Sequence, residues 1–258
     1  ATLGWPEKTK DLDYFYPTTV LVSGYDILFF WISRMIMAGL HFTGTIPYHH
    51  VFITGMIKDE LGRWMSKSLG NGIDPLDMIE QYGADAVRFS LTVLCAQGQD
   101  IKLAPSKFEM GRNFANKIWN AGRFALMNIG DDPVAAVDDV RGDLETADRW
   151  ILSRLSAATT DVTRQLEAFR FHEAAESAYH FFWGELADWY LELIKPRMQP
   201  DASPGSRGAA KATLVHVLDG ALRLLHPIMP YITESLWLRL PVPTGTEREE
   251  SLVTGRWP

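Results

Sequence analysis

Thr18-Thr19-Val20-Leu21-Val22-Ser23-Gly24 is a short run rich in β-branched residues that ends at a glycine. This pattern is typical of a buried strand that leads into a helix. Residues 26–40 then follow helical spacing, and a second strand-like run, His50-Val51-Phe52-Ile53-Thr54, ends at Gly55. Strand, helix and strand in this order predict a parallel βαβ unit. Because ligands bind beyond the carboxyl ends of such strands, residues 24–26 and 55–57 are the predicted binding edges.

From about Ser106 onward the sequence predicts helices only. One apolar stripe at helical spacing consists of Phe114, Ile118, Ala121, Ala125 and Ile129. Further helical patterns cover residues 144–169, 171–195, 210–225 and 231–240, with a loop at 130–142 and a flexible connector at 200–208. Short loops between amphipathic helices predict an antiparallel bundle. The predicted fold class is therefore α/β plus all-α, with a partial Rossmann-type parallel sheet followed by a helical bundle.

The composition sets limits on the class of protein. With 258 residues, 47% of them hydrophobic and 22% charged, the chain is typical of a globular protein. The single cysteine, Cys95, excludes an internal disulfide and a Cys-based metal site. No uninterrupted apolar run reaches the ~18 residues needed to span a bilayer. We therefore expect a cytoplasmic protein without a membrane partner.

The charge is distributed unevenly along the chain. A net charge of −7 argues against a protein that coats nucleic acid indiscriminately. Residues 101–127 nevertheless carry five basic residues against the single acidic Glu109, a local charge of about +4. The five are Lys102, Lys107, Arg112, Lys117 and Arg123. This segment is either a basic surface for RNA or an ordinary solvated helix face.

A second informative segment is Met65-Ser66-Lys67-Ser68-Leu69-Gly70-Asn71-Gly72. Hydroxyls and backbone N–H groups can donate to phosphate oxygens, and a lysine ammonium adds a point charge. Most Ser-Lys-Ser triplets are solvated turns, so the triplet alone does not distinguish a phosphate-binding loop from a turn.

The start of the first helical segment offers a third candidate site. In Gly24-Tyr25-Asp26-Ile27-Leu28-Phe29-Phe30-Trp31, the carboxylate of Asp26 is either a ligand group or a helix N-cap. Ile27 and Trp31 lie four residues apart, which places them on one helical face. That face is either a binding pocket or ordinary core.

These segments resemble the class I aminoacyl-tRNA synthetases. The Ser-Lys-Ser segment, with its flanks at 58–63 and 77–89, resembles the second signature loop, usually written Lys-Met-Ser-Lys-Ser, although Trp64 replaces the first lysine. Residues 24–35 resemble the adenylate-binding segment of the valine, isoleucine and leucine group, and their sequence is most similar to that of the valine-specific members. Residues 112–124 resemble the first helix of the anticodon-binding domain of that group. Residues 188–197 and 225–237 resemble scaffold helices of that domain, and we interpret them as packing elements.

The resemblance implies ATP-dependent attachment of valine to its tRNA through a valyl-adenylate, by a monomeric enzyme that uses ATP with Mg²⁺. The implied catalytic residues are Lys67, against the departing pyrophosphate, with Ser66 and Ser68 assisting. The implied ATP and adenylate contacts are Gly24, Asp26, Gly55, Met56, Ile57 and Lys67. Ile27 and Trp31 would line the amino-acid pocket. The implied anticodon-binding residues are Lys102, Asn113, Asn116, Lys117, Asn120, Arg123 and Phe124. No metal-ligating residue is predicted, because the histidines lack the spacing of a zinc site.

Three domains are predicted: residues 1–57, the carboxyl-terminal part of a Rossmann-type catalytic domain; residues 58–105, a connecting segment that carries the signature loop; and residues 106–258, a helical anticodon-binding domain. The first family signature, His-Ile-Gly-His, does not occur in these 258 residues. We therefore expect a fragment that does not activate valine by itself. An isoleucine-specific synthetase and a non-catalytic tRNA-binding module are the alternatives.

Overall fold

The computed structural model describes residues 2–96 and 98–258. It divides into two compact units. Within the described residues, the first unit comprises the chain up to Met65 together with Cys95–Lys102, and the second comprises Ser66–Leu94 and Leu103–Pro258. The domain boundaries after residues 57 and 105 stay predictions.

The first unit is built on parallel strand pairs. Its elements are α1 (Lys10–Phe15), β1 (Thr18–Gly24), α2 (Ser33–Thr43), β2 (Tyr48–Thr54), β3 (Ile57–Lys58) and β4 (Ile101–Lys102). Strands β1 and β2 pair in parallel, from Thr18 opposite Tyr48 to Gly24 opposite Thr54. Strands β3 and β4 form a second parallel pair, with Ile57 opposite Ile101. The predicted parallel βαβ unit, β1–α2–β2, is confirmed.

The helix of this βαβ unit differs from the prediction at both ends. A 3₁₀ turn at Tyr25–Ile27 and a π-helical segment at Leu28–Ile32 precede α2, so regular α-helix begins only at Ser33. Helix α2 also continues past residue 40 to Thr43 and is capped by Gly44, whose φ of 72° is the left-handed value that favours glycine. The π-helical segment widens the helix beside the carboxyl end of β1, where spacing rules for a regular α-helix do not apply.

The second unit is helical. Its helices are α3 (Pro75–Tyr82), α4 (Ala84–Leu94), α5 (Phe108–Ile129), α6 (Thr146–Glu167), α7 (Phe171–His180), α8 (Leu191–Ile194), α9 (Pro204–Leu225) and α10 (Pro230–Trp237). A π-helical segment, Phe181–Tyr190, joins α7 to α8, and short 3₁₀ segments lie at Pro105–Lys107, Val137–Asp143, Lys195–Met198 and Leu252–Thr254. Among the described residues, no helix combines the length and apolar character needed to cross a membrane.

The bundle is held together by an apolar core. Helix α4 packs on α5 and α7, and α6 packs on α7 and α9. The predicted stripe on α5 is buried: Phe114, Ile118 and Ala125 are fully inaccessible to solvent. Each such burial of a large side chain contributes roughly 1.5–3 kcal/mol. The predicted fold class, a partial parallel sheet plus a helical bundle, is confirmed.

Part of the connector predicted at residues 200–208 is helical instead. Helix α9 begins at Pro204, and the Ser203 hydroxyl accepts a hydrogen bond from the N–H of Ser206. Proline suits the first helical position because its ring fixes φ and its missing N–H would have no partner there. The run of Pro, Ser and Gly therefore encodes a helix start in this place.

Candidate functional site

The two predicted binding edges meet in the first unit. Gly24 and Thr54 are paired residues of the parallel strands β1 and β2. Residues 24–26 and 55–57 thus leave neighbouring strands at the same end of the sheet. The structure brings together the adenylate-binding residues predicted from both edges, namely Gly24, Asp26, Gly55, Met56 and Ile57.

Asp100, which the sequence analysis did not identify, connects these edges. Its Oδ1 accepts a hydrogen bond from the Met56 N–H at 2.9 Å. The Tyr25 hydroxyl lies 3.2 Å from both carboxylate oxygens. The Lys58 Nζ forms an ion pair with Oδ2 at 2.7 Å. No sequence signal identifies this role, because it depends on the pairing of β3 with β4, whose partner residues lie 44 positions apart (Ile57 and Ile101).

The cluster around Asp100 shifts the titration of its members. The donating Lys58 ammonium and the Met56 N–H lower the pKa of the Asp100 carboxyl below its ordinary value. The hydrogen bond from Lys58 to Asp100 raises the pKa of the Lys58 ammonium. Desolvation, and then the Asp100 carboxylate, raise the pKa of the Tyr25 hydroxyl. Asp100 and Lys58 are consequently charged at neutral pH, while Tyr25 keeps its proton.

The segment that follows β1 is open to solvent. Asp26 lies inside the 3₁₀ turn, and neither this turn nor the π-helical segment or α2 has a side-chain N-cap. The N-cap alternative for Asp26 is therefore wrong. Ile27 and Trp31 are 39% and 46% exposed, which contradicts the alternative that they are ordinary core. Their role as an amino-acid pocket stays a prediction.

A tight turn precedes the signature loop. The Asp59 carboxylate accepts hydrogen bonds from the backbone N–H groups of Leu61 and Arg63 and pairs with the Arg63 guanidinium at 2.8 Å. Across this turn Trp64 forms a β-bridge with Lys58, whose Nζ lies 4.4 Å from the centroid of the indole ring. Trp64, in place of the signature lysine, thus contacts a cation supplied by Lys58.

The signature loop, whose residues from Ser66 onward belong to the second unit, is a compact turn. The Ser66 N–H donates to the Asn71 side-chain oxygen at 3.0 Å, and the Leu69 N–H donates to the Ser66 hydroxyl at 3.2 Å. The hydroxyls of Ser66 and Ser68 lie 3.1 Å apart. Lys67 is exposed at the top of this turn. Two hydroxyls beside one exposed ammonium offer donors to an anion.

The predicted RNA-binding residues lie in two different units. Lys102 is part of β4 in the first unit, whereas the others lie on α5 in the second. Four of the α5 residues are exposed: Asn113, Asn116, Asn120 and Arg123. The side chains of Lys117 and Phe124 are only partly exposed.

Two of these α5 residues contact the π-helical segment Phe181–Tyr190 or the 3₁₀ segment Lys195–Met198. Lys117 Nζ pairs with Asp188 at 2.5 Å and lies 5.2 Å from the Trp183 ring centroid. Lys195 Nζ lies 5.5 Å from the ring centroid of Phe124. Part of the positive charge expected to face phosphate is therefore neutralised by Asp188.

Trp189 corrects the interpretation of residues 188–197 as packing only. Its side chain is 64% exposed, next in sequence to the Asp188 that pairs with Lys117. By contrast, Trp237 is 1% exposed, and its indole N–H donates to Asp219 at 2.6 Å, which confirms a packing role. An amphipathic pattern alone did not separate these two tryptophans, because both lie in apolar-rich helices.

Two family models match the chain. The model described as tRNA synthetases class I (I, L, M and V) matches residues 1–104, and the anticodon-binding domain of tRNA ligase matches residues 148–258. The valine--tRNA ligase of Thermotoga maritima is 50% identical over all 258 residues, which span 28% of that protein. The valine--tRNA ligase of Symbiobacterium thermophilum is 52% identical over 94% of this chain and 26% of its own length. The chain thus spans little more than a quarter of these relatives.

Solved structures agree in fold. LeuRS of Agrobacterium radiobacter K84, in a ternary complex with tRNA and LeuAMS, matches with a TM-score of 0.69 and 26% identity over 94% of this chain and 29% of that one. Mycobacterium tuberculosis methionyl-tRNA synthetase, in complex with methionyl-adenylate, matches with a TM-score of 0.75 over 91% of this chain and 46% of that one. Its 23% identity supports the fold alone. The two family models and the 50% identity over all 258 residues thus show that the chain is homologous to a segment of valine--tRNA ligases, about a quarter of their length, within the class I tRNA synthetases.

Proposed function

We propose that the protein containing this chain attaches valine to its tRNA through a valyl-adenylate, at the expense of ATP. The observation that carries the proposal is the 50% identity to a valine--tRNA ligase over all 258 residues. The exposed Ile27 and Trp31 in the segment that follows β1 support it, because an apolar side chain such as that of valine needs an apolar surface to bind.

The first step joins valine to AMP. The valine carboxylate attacks the α-phosphorus of ATP, the bond to the bridging oxygen breaks, and pyrophosphate leaves with that electron pair. Catalysis of such a step consists mostly of positioning and of stabilising charge on the phosphate oxygens. Lys67 supplies the cation for the departing pyrophosphate, and the hydroxyls of Ser66 and Ser68 donate to its oxygens. In the second step a hydroxyl of the terminal tRNA ribose attacks the carbonyl carbon of valyl-adenylate, and AMP leaves.

In the proposed reaction Mg²⁺ binds only together with ATP. Among residues 2–96 and 98–258, no group of three or more His, Cys, Asp or Glu side chains could hold a metal ion. The described residues therefore do not form a protein-built metal site. Mg²⁺ is commonly held by nucleotide phosphates together with one or two protein carboxylates.

ATP–pyrophosphate exchange with a panel of amino acids tests the proposed activity. The full-length protein should exchange fastest with valine, more slowly with threonine and isoleucine, and at background with leucine. A discrimination of only about 10–200-fold is expected between side chains that differ by one methylene. Fastest exchange with isoleucine would favour an isoleucine-specific enzyme, and no exchange with any amino acid would refute the proposed activity.

The second unit supplies the tRNA-binding surface in this proposal. Exposed amides on α5, the partly exposed Phe124 and the exposed Trp189 provide groups that read base edges and stack on bases. The likeness of residues 148–258 to an anticodon-binding domain supports the assignment of Trp189, whereas α5 precedes the matched residues. The paired Lys117 contributes less to phosphate binding than an isolated lysine, because Asp188 already neutralises it.

Binding of a valine tRNA anticodon stem-loop to the 258-residue chain should be weak, and it should weaken further as salt rises. Trp189→Ala and Phe124→Ala should each lower the binding free energy by about 1–3 kcal/mol, the range for one base stacked on one aromatic ring. Fluorescence anisotropy with a labelled stem-loop would measure both effects. Tyr14→Ala, which removes an 81% exposed ring from α1, is the matched control and should leave binding unchanged. Equal affinity of the unmodified chain and all three variants would mean that the α5 face is only a solvated surface.

A further inference from the structure

We propose that Asp100 is a positioning residue for the nucleotide: its carboxylate fixes the backbone edge at Met56 and Ile57 and thereby sets the affinity for ATP. The inference rests on the proposed function, because it assigns the adenosine part of ATP to the edges after β1 and β2. Asp100 belongs to none of the segments singled out from the sequence. It acts by holding the Met56 N–H, the Tyr25 hydroxyl and the Lys58 ammonium.

Groups from three separate segments converge on the Asp100 carboxylate. Asp100 accepts from the Met56 N–H after β2, from the Tyr25 hydroxyl after β1, and from the Lys58 ammonium at the start of the Asp59 turn. These three groups come from the two predicted binding edges and from the flank of the signature loop. Loss of this single side chain would therefore release all three.

The segment that carries Asp100 fits closely against residues 55 and 56. The Ile101 N–H donates to the Met56 carbonyl oxygen at 2.9 Å, so both backbone groups of Met56 are bonded to residues 100–101. A Cβ atom added to Gly55 would lie only 1.8 Å from the Gln99 carbonyl oxygen. Only glycine at position 55 permits this approach, so the backbone of residues 99–101 packs directly against residues 55 and 56.

The chemistry of the carboxylate also matches that of its partners. A carboxylate offers only acceptors, and its partners at this site are all donors. An asparagine at position 100 would present an amide NH₂ to Tyr25 or Lys58 in place of one acceptor, and it would leave the Lys58 ammonium without its ionic partner. The Met56 N–H donates to Asp100 and is therefore not available to the adenine base. We expect the base to be recognised by neighbouring groups, whose orientation the hydrogen bond between Met56 and Asp100 fixes.

The steady-state kinetics of ATP–pyrophosphate exchange in the full-length protein test the proposal. Asp100→Asn should raise KM for ATP about 10-fold, the size expected for loss of one charge-assisted hydrogen bond, and should change kcat by less than about 3-fold. KM for valine should change by less than about 2-fold. Asp100→Glu, which keeps the carboxylate, should recover part of the ATP affinity. Asp13→Asn removes an exposed carboxylate of α1 in the same unit and is the matched control.

A purely structural role predicts a different pattern. In that case kcat and the KM values for ATP and valine would change together with the melting temperature, and Asp100→Glu would not restore ATP affinity selectively. Hydrogen exchange of the Met56 amide provides a second measurement, and exchange in Asp100→Asn should be at least about 10-fold faster than in the unmodified chain. An unchanged KM for ATP in an otherwise active enzyme would overturn the positioning role alone. Absence of ATP–pyrophosphate exchange in the unmodified full-length protein would refute the proposed function itself.

Discussion

Replacing Lys67 by alanine in the full-length protein is expected to lower the rate of valine-dependent ATP–pyrophosphate exchange by about 10²-fold. Loss of one preorganised group that stabilises developing charge costs about 3 kcal/mol in the transition state. Lys67 is exposed on the turn in which the hydroxyls of Ser66 and Ser68 lie 3.1 Å apart. The side chain therefore has access to a departing pyrophosphate without first leaving a buried environment.

Two further variants identify the source of this effect. Lys67→Arg keeps the positive charge and should retain more activity than Lys67→Ala, although the planar guanidinium does not reproduce the geometry of an ammonium. Lys107→Ala removes another exposed lysine of the second unit and should leave exchange unchanged. If Lys67→Ala exchanged pyrophosphate at the normal rate, the turn at residues 66–71 would not bind phosphate.

Trp237→Ala is expected to lower the free energy of unfolding by about 3–5 kcal/mol, the range for removal of a large buried aromatic side chain. The indole is 1% exposed, and its N–H donates to Asp219 at 2.6 Å. The Arg248 guanidinium lies 4.7 Å from the ring centroid. The substitution would leave a cavity at the end of α10 and deprive the Asp219 carboxylate of a hydrogen-bond donor.

Urea denaturation of the 258-residue chain, followed by circular dichroism, measures this loss. Trp189→Ala is the matched control, because its 64% exposed side chain should contribute about 0.5 kcal/mol or less to stability. The two substitutions thus separate binding from folding, since Trp189→Ala is expected to weaken RNA binding instead. Equal loss of stability in both variants would contradict the assignment of Trp189 to a binding surface.

Local patterns were sufficient to predict the parts of the fold that depend on periodicity. The runs at 18–24 and 50–54 predicted a parallel pair, and the five-residue stripe predicted the buried face of α5. These predictions succeeded because strand and helix periods reflect which face of an element is buried. The predicted helix start at Asp26 was wrong, because a 3₁₀ turn and a π-helical segment intervene where spacing rules do not apply.

The candidate site was predictable only where its residues follow strand ends or a recognisable loop. Gly24 and Gly55 were identified because parallel strands end at the same edge. Asp100 was not, because its three partners become neighbours only through the pairing of β3 with β4. Similarly, the ion pair that neutralises Lys117 joins residues 71 positions apart, and no local pattern reveals it.

The pairing of β3 with β4 has a consequence for the order in which the chain folds as it leaves the ribosome. Synthesis delivers Ile57 and Lys58 before their partners Ile101 and Lys102, and the intervening Ser66–Leu94 belongs to the other compact unit. The nascent first unit therefore exposes the edge of β3 and holds the Lys58 ammonium without its carboxylate until about 40 more residues have emerged. Any chain terminated between residues 66 and 98 would remain in that unfinished state, with an open strand edge available to other nascent chains.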